Sequence, residues 1–207
     1  AGGTFTVSNP ALEPQRAETV EAGGSGAWGA LGWEAAVYRI AVDDEVDFDP
    51  ATFTYRNIGR SLHTGVETTA RWTAAVVQPF LSYAFSRVIA REGEDSGGQL
   101  KNVPRHLLRA GIAASLPAGL RGEVVASRMF GRYADDANRF PLEDGVLLDL
   151  RLERDFGPLT ARLDVLNAAG VHNDAIGFTL PDFSGGEAPY VYPGPRRAVR
   201  FGVAYRP

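Results

Sequence analysis

The side chains best suited to chemistry are few and scattered. The chain has three histidines, His63, His106 and His172, and no cysteine. Thiol catalysis, disulfides and cysteine-rich metal sites are therefore excluded. The three imidazoles fall in different segments, so neither a shared metal nor a catalytic triad is expected of them. His106 follows Pro104 and Arg105 at the start of a strand and is expected to hydrogen-bond near a rim. The acidic run Asp43-Asp44-Glu45-Val46-Asp47-Phe48-Asp49 offers the carboxylate oxygens that hard cations take. It lacks the glycine and the closing glutamate of a calcium loop, and reads as a solvated loop margin. Gly23-Gly24-Ser25-Gly26 has neither the spacing of a nucleophile elbow nor the Lys-Ser/Thr of a phosphate loop, and reads as a flexible strand end. No nucleophile, base and orienting group can be assembled, so no catalytic residue, metal or cofactor is expected.

The remaining charge is ordered in another way. In GVLLDLRLERDFGPLTARLDVLN, residues 145–167, Leu148, Leu150 and Leu152 alternate with Asp149, Arg151 and Glu153. Beyond Phe156-Gly157-Pro158, Ala161, Leu163 and Val165 alternate with Arg162 and Asp164. Side chains of a strand point to opposite faces in turn, so this is a hairpin with one apolar and one charged face. Arg71 and Arg200 alternate with apolar neighbours in the same way. Alternation alone does not separate a soluble sandwich from a membrane barrel.

The elements that carry these residues are strands throughout. The 207 residues are 44% hydrophobic and 22% charged, with 24 Gly, 13 Pro and a formal net charge of −4. That balance gives no reason to expect a nucleic-acid partner. No run of about 18 apolar residues suggests a transmembrane helix. About nine strands are expected, over 17–25, 31–46, 57–73, 76–90, 103–116, 120–133, 145–155, 159–169 and 196–205. Residues 1–16 read as loop. The connections at 26–30, 74–75, 117–119 and 156–158 are short, and those at 47–56, 91–102, 134–144 and 170–195 are long. Short and long alternate without exception, as in an up-and-down outer-membrane barrel with tight turns at one end and long loops at the other.

Two further features agree. A strand of about eleven residues at roughly 3.3 Å each, tilted about 45°, rises roughly 25 Å, the height of a barrel's apolar band. Trp28, Trp33 and Trp72 fall at the short-turn end with Phe80, Phe156 and Tyr205, while Phe48, Tyr55 and Tyr133 mark the long-loop end, as two aromatic belts would. The reading is an all-β, antiparallel, up-and-down transmembrane β-barrel, partial, with about nine strands of a larger barrel. A soluble β-sandwich binding module is the alternative from a different class, and a passive porin-like barrel fragment the alternative transporter.

Six short motifs in order carry a resemblance. Asn9-Pro10-Ala11-Leu12-Glu13-Pro14 is similar to NP-x-L-x-PE. Tyr55-Arg56-Asn57-Ile58-Gly59 with Gly65-Val66-Glu67 is similar to RN-x-G…GVE. Leu81-Ser82-Tyr83 followed by Gly98-Gln99-Leu100-Lys101-Asn102-Val103-Pro104-Arg105-His106 is similar to SY…G-x-x-L-x-NVPRH. Tyr133-Ala134-Asp135-Asp136-Ala137-Asn138, then Asp164-Val165-Leu166-Asn167, then Pro193-Gly194-Pro195-Arg196-Arg197 complete the series. Over nearly its whole length the chain resembles the C-terminal barrel portion of TonB-dependent outer-membrane receptors. It departs from them at its end, where Arg206 and Pro207 follow the aromatic Tyr205.

The resemblance implies a location in the bacterial outer membrane and a role in importing a ferric siderophore or a similar scarce nutrient. It further implies that residues 1–207 form a C-terminal segment, without the plug domain and the N-terminal part that meets the TonB complex. Outer-membrane lipid, the plug and the ligand are the expected partners. Arg71, Asp149, Arg151, Glu153, Arg162, Asp164 and Arg200 would line the lumen wall. Asp136, Asn138, His172, Asp174, Tyr190 and Tyr192 would be the loop residues placed to touch ligand.

Overall fold

In a computed structural model, described over residues 7–49, 52–74, 76–93, 95–182 and 184–206, the chain is almost wholly antiparallel strand. In chain order the strands are β1 (Arg16–Trp28), β2 (Leu31–Asp43), β3 (Val46–Asp49), β4 (Thr54–Asn57), β5 (Ser61–Trp72), β6 (Val77–Ala90) and β7 (His106–Leu116). They continue as β8 (Leu120–Phe130), β9 (Leu147–Phe156), β10 (Leu159–Leu166), β11 (Asp174–Pro181), β12 (Glu187–Pro193) and β13 (Ala198–Tyr205). Nine of them form one sheet in the order β1-β2-β5-β6-β7-β8-β9-β10-β13, each neighbour being the next sheet strand in sequence. This is the expected up-and-down meander, a partial barrel whose edges β1 and β13 do not close on each other. Residues 1–6 of the expected leading loop, Ala75 and Pro207 lie outside the described residues.

The turns follow from local chemistry. Phe156 and Leu159 face each other across Gly157-Pro158. Gly157 has φ +63°, which a two-residue hairpin turn requires and glycine adopts without strain. Strand ends differ from expectation where a residue leaves the extended region. β2 stops at Asp43 because Asp44 has φ +56°, and β10 stops before Asn167, with φ +46°. The run Gly23-Gly24-Ser25-Gly26 is not a flexible end. It lies inside β1, paired with Ala36, Ala35, Glu34 and Trp33. Two hairpins within the long connections were not expected: β3 with β4, and β11 with β12.

Register assigns the faces. Leu152 stands between Gly122 and Leu163, Leu163 beside Phe201, and Leu150 between Val124 and Val165. That face is bare: Leu81, Ile112, Val124 and Phe201 are 50%, 50%, 46% and 73% exposed. A sandwich would cover it with a second sheet about 10 Å away, and none of the other described strands does so. The apolar cluster that is buried, Val88, Ala90 and Leu100 with Ile58 and Val103 against it, sits at the long-loop end of β6 instead.

Aromatic side chains make the sheet's faces by lying over glycines. Tyr38 crosses Gly65 to bond Ser86 at 3.1 Å, and a side chain at Gly65 would collide with the phenol. Phe80 lies over Gly111 in the same manner. The ring of Phe80 therefore belongs to the charged face, between the guanidiniums of Arg71 (5.8 Å) and Arg109 (5.4 Å), and not to a belt on the apolar side. Trp28, Trp33, Trp72, Phe156 and Tyr205 do share the apolar face at the short-turn end. At the other end that face carries Tyr83, Phe85, His106 and Phe130 rather than Phe48, Tyr55 and Tyr133. His106 stacks on Phe130 at 4.5 Å and its Nδ1 lies 2.8 Å from the Tyr83 hydroxyl.

Candidate functional site

The charged face of β8, β9, β10 and β13 is a lattice of ion pairs. Arg121 bonds Asp155 at 2.6 Å and approaches Glu153 at 3.7 Å. Arg151 joins Glu123 at 3.4 Å to Asp164 at 2.9 Å, and Arg162 holds the same Asp164 at 2.8 Å. Arg200 is the register partner of Asp164 on β13. Asp149 accepts the backbone N–H of Asn167 at 2.8 Å, and Arg71 stands apart on β5 over Phe80. Five of the seven expected wall charges are thus contiguous. Arg121, Glu123 and Asp155 belong to the same lattice, and Arg109 to the pair around Phe80; all four were visible as alternating charges in their strands. Pairs this exposed are worth only about 0–1 kcal/mol each, so the lattice makes a wet, polarised surface more than it holds the sheet together.

The long-loop end is built from clasps. Asn9 Nδ2 donates to the Tyr55 carbonyl at 2.9 Å, and Asn57 exchanges hydrogen bonds with the Glu13 backbone at 2.9 Å in both directions. The Asn138 amide is spent on the Gln99 backbone, accepting from its N–H at 2.9 Å and donating to its carbonyl at 2.7 Å, while Asp136 Oδ1 accepts from the Lys101 N–H. Asn167 donates to Pro195 and Val171 carbonyls at 3.0 and 2.8 Å. The six sequence motifs therefore meet as three pairs: 9–14 with 55–59, 98–102 with 135–138, and 164–167 with 193–195. Deeper pins join the loops. Asn102 pairs with both backbone groups of Gly177, and nearly buried Arg132 binds Asp144 and the carbonyls of Glu143, Asp174 and Ala175.

The acidic run is not a solvated margin. Glu45 Oε2 accepts from Ser61 Oγ and lies 3.1 Å from His63 Nε2. Burial works against the Glu45 charge, but the hydrogen bonds with His63 and Ser61 outweigh it and hold the carboxyl below the ordinary glutamate value. Ser61 and Glu45 both approach the same ring nitrogen, at 3.0 Å for Ser61, so the trio cannot relay a proton from hydroxyl through imidazole to carboxylate. Lys101 Nζ bridges Asp47 and Asp136. Burial would lower that ammonium's pKa, and the two carboxylates reverse the effect and raise it.

Between these loops lies a polar cleft of about 390 Å³, walled by β3, the 134–139 loop and the β11–β12 hairpin. Of the expected ligand contacts, Asp136 borders it through its bond to Lys101, Asn138 is consumed by the loop, and Asp174 is 5% exposed, accepting the Glu143 N–H. His172 is open to solvent, 3.7 Å from Asp174. Tyr190 and Tyr192 are 47% and 61% exposed and lean on Phe178 at 5.9 and 5.7 Å.

The greater part of the chain falls in a known pattern. Residues 1–171 match the family described as TonB dependent receptor-like, beta-barrel. The chain belongs to that family. Solved structures with this fold include the ferric yersiniabactin uptake receptor FyuA from Yersinia pestis, with a TM-score of 0.72 at 18% identity over 91% of this chain and 29% of that one. The siderophore receptor PiuA from Acinetobacter baumannii gives 0.70 at 19% identity, over 91% and 28%. The copper transporter OprC gives 0.72 at 14% identity, over 95% and 32%. The chain spans less than a third of any of these three. In this chain the clasped motifs fasten one loop to another.

Proposed function

We propose that this chain is a C-terminal wall segment of an outer-membrane receptor that imports a metal chelate, a ferric siderophore or a compound of that kind, driven by TonB. The observation that carries it is the sheet's two-sidedness within a receptor family: an uncovered apolar face with a tryptophan-rich belt, backed by a continuous lattice of charge. Arginines and carboxylates so exposed suit a watery lumen, where a plug domain would rest on Arg151, Asp164 and their neighbours through salt bridges and water. The face bearing Leu150, Leu163 and Phe201 would meet lipid. At the mouth, Tyr190, Tyr192 and His172 are the side chains still free to touch ligand, whereas Asp136, Asn138 and Asp174 would shape the loops behind them. Exposed aromatic rings suit a bulky, partly planar chelate at little cost in side-chain entropy.

The test is uptake of a panel of labelled ferric chelates by cells relying on the receptor that carries this segment. Uptake that vanishes with TonB and weakens in the Tyr190→Ala, Tyr192→Ala double variant by roughly tenfold in apparent affinity is the expected result. Uptake independent of TonB would contradict it and favour a passive pore.

A further inference from the structure

The apolar face is not apolar everywhere. Arg39 on β2, Arg87 on β6 and Arg128 on β8 stand on it by register: Arg39 opposite Val20 and Thr64, Arg87 opposite Thr64, Arg128 opposite Leu108. Each is exposed. They share one height. Arg39 is eight residues above Leu31 at its short turn, Arg87 ten above Val77 and Arg128 eight above Leu120. At roughly 3.3 Å per residue and a tilt of about 45°, all three lie roughly 19–23 Å above the turns, at the upper edge of a band about 25 Å tall. Phe85, His106 and Phe130 stand at that same level, and Tyr83, one step lower on β6, reaches it through its hydroxyl, 2.8 Å from His106 Nδ1.

Among the described residues, the guanidiniums of Arg39 and Arg87 have no hydrogen-bond or ion-pair partner, although the Arg87 carbonyl accepts from Thr64 Oγ1 at 3.5 Å. Arg128 lies over Phe130 at 5.1 Å and donates to the Asp144 backbone carbonyl at 3.2 Å, which leaves its charge unneutralised. The titratable groups nearby on this face are His106, Glu18 diagonal to Arg39, and Asp43 opposite Arg16 at the strand tops. Among the described residues no carboxylate stands on the apolar face of β5 through β10 or β13. Arg39 and Arg87 flank Thr64, two strand spacings or roughly 10 Å apart. A row of unpaired guanidiniums, interleaved with aromatic rings at head-group depth, is complementary to phosphate, which the planar fork grips in a bidentate manner.

We propose that Arg39, Arg87 and Arg128 form a binding strip for the phosphates of an anionic lipid head group at the long-loop rim. This rests on the outer-membrane reading above. The strip would fix the depth of the sheet and seat a phosphorylated lipid against the Tyr83, Phe85, His106 and Phe130 cluster.

The test uses the detergent-purified receptor that carries this segment, with bound lipids counted by native mass spectrometry during titration with lipid A or with phosphatidylcholine. Lipid A should be retained, and the Arg39→Gln, Arg87→Gln, Arg128→Gln variant should bind it about a hundredfold more weakly, from roughly a tenfold change per 1.4 kcal/mol and about 1 kcal/mol for each arginine. The lysine triple variant should recover only part of the loss. Equal retention by the glutamine variant, or equal binding of phosphatidylcholine, would overturn the proposal. Displacement of lipid A by inorganic phosphate would overturn its assignment to a lipid. Should the triple variant misfold, the three single variants carry the same comparison, each weakened several-fold. Flotation of the wild type with phosphatidylcholine vesicles is the separate control: no flotation would refute the membrane reading itself.

Discussion

Removing the guanidinium of Arg132 would leave the Asp144 carboxylate its Gly131 N–H but no counter-charge, and would take a donor from three backbone carbonyls at once. Breaking a buried ion pair by deleting one partner costs roughly 3–5 kcal/mol, so Arg132→Ala should lower the temperature at which the loop end melts and expose 131–144 to protease. Unchanged protease resistance would show that the pin is dispensable. Glu45 makes a pH-dependent claim. Its folded pKa is depressed, so its contribution is present above the ordinary glutamate pKa of about 4.3 and is lost as pH falls through the lower folded value. Acid opening of the β2–β3 connection should therefore begin below about pH 4.3 and be blunted in Glu45→Gln. Asp182 is also held below the ordinary aspartate value, by Ser184 and the Gly186 N–H, so the difference between wild type and variant is the quantity to measure. The sequence showed the clasp residues as motifs without showing what they hold. Asn102 and Gly177 are 75 positions apart, and no local period encodes a bond over that distance.

At the scale of elements, all nine sheet strands were legible, the clearest of them by alternation, because a half-buried strand writes its two faces into every second residue. β2 was less clean, with Arg39 on its apolar side. Alternation failed where that rule has no purchase. β3 and β4 are four residues each, too short to show a period, and β12 carries Pro189 and Pro193, which argue against a strand in any interior position. The glycines of β1 looked like a strand end because nothing local announces that a tryptophan from the next strand will lie over Gly26. The same device predicts a mutational effect. Gly65→Val should drive Tyr38 off the sheet and break its bond to Ser86, and Gly111→Val should displace Phe80, whose ring lies 2.6 Å from where a Cβ would stand. Either should cost about 1–3 kcal/mol, read as a lowered unfolding temperature of the assembled sheet, while Gly24→Ala, with open space around it, should be nearly neutral.

At the scale of the whole molecule the account depends on one assignment, that the bare apolar face meets lipid and the ion-pair lattice meets water. Leu163 lies four residues above the turn at Leu159, near the middle of the band. An arginine there should cost about 2–4 kcal/mol and suppress insertion, whereas Arg162→Leu next to it should be tolerated. The most direct measurement exploits a chain without cysteine. Single cysteines placed along β10 at Ala161, Arg162, Leu163, Asp164 and Val165 would be labelled with a membrane-impermeant maleimide in native membranes. Reaction at 162 and 164 with protection at 161, 163 and 165 is the predicted result. Equal labelling along the strand, or labelling at the odd positions alone, would contradict it.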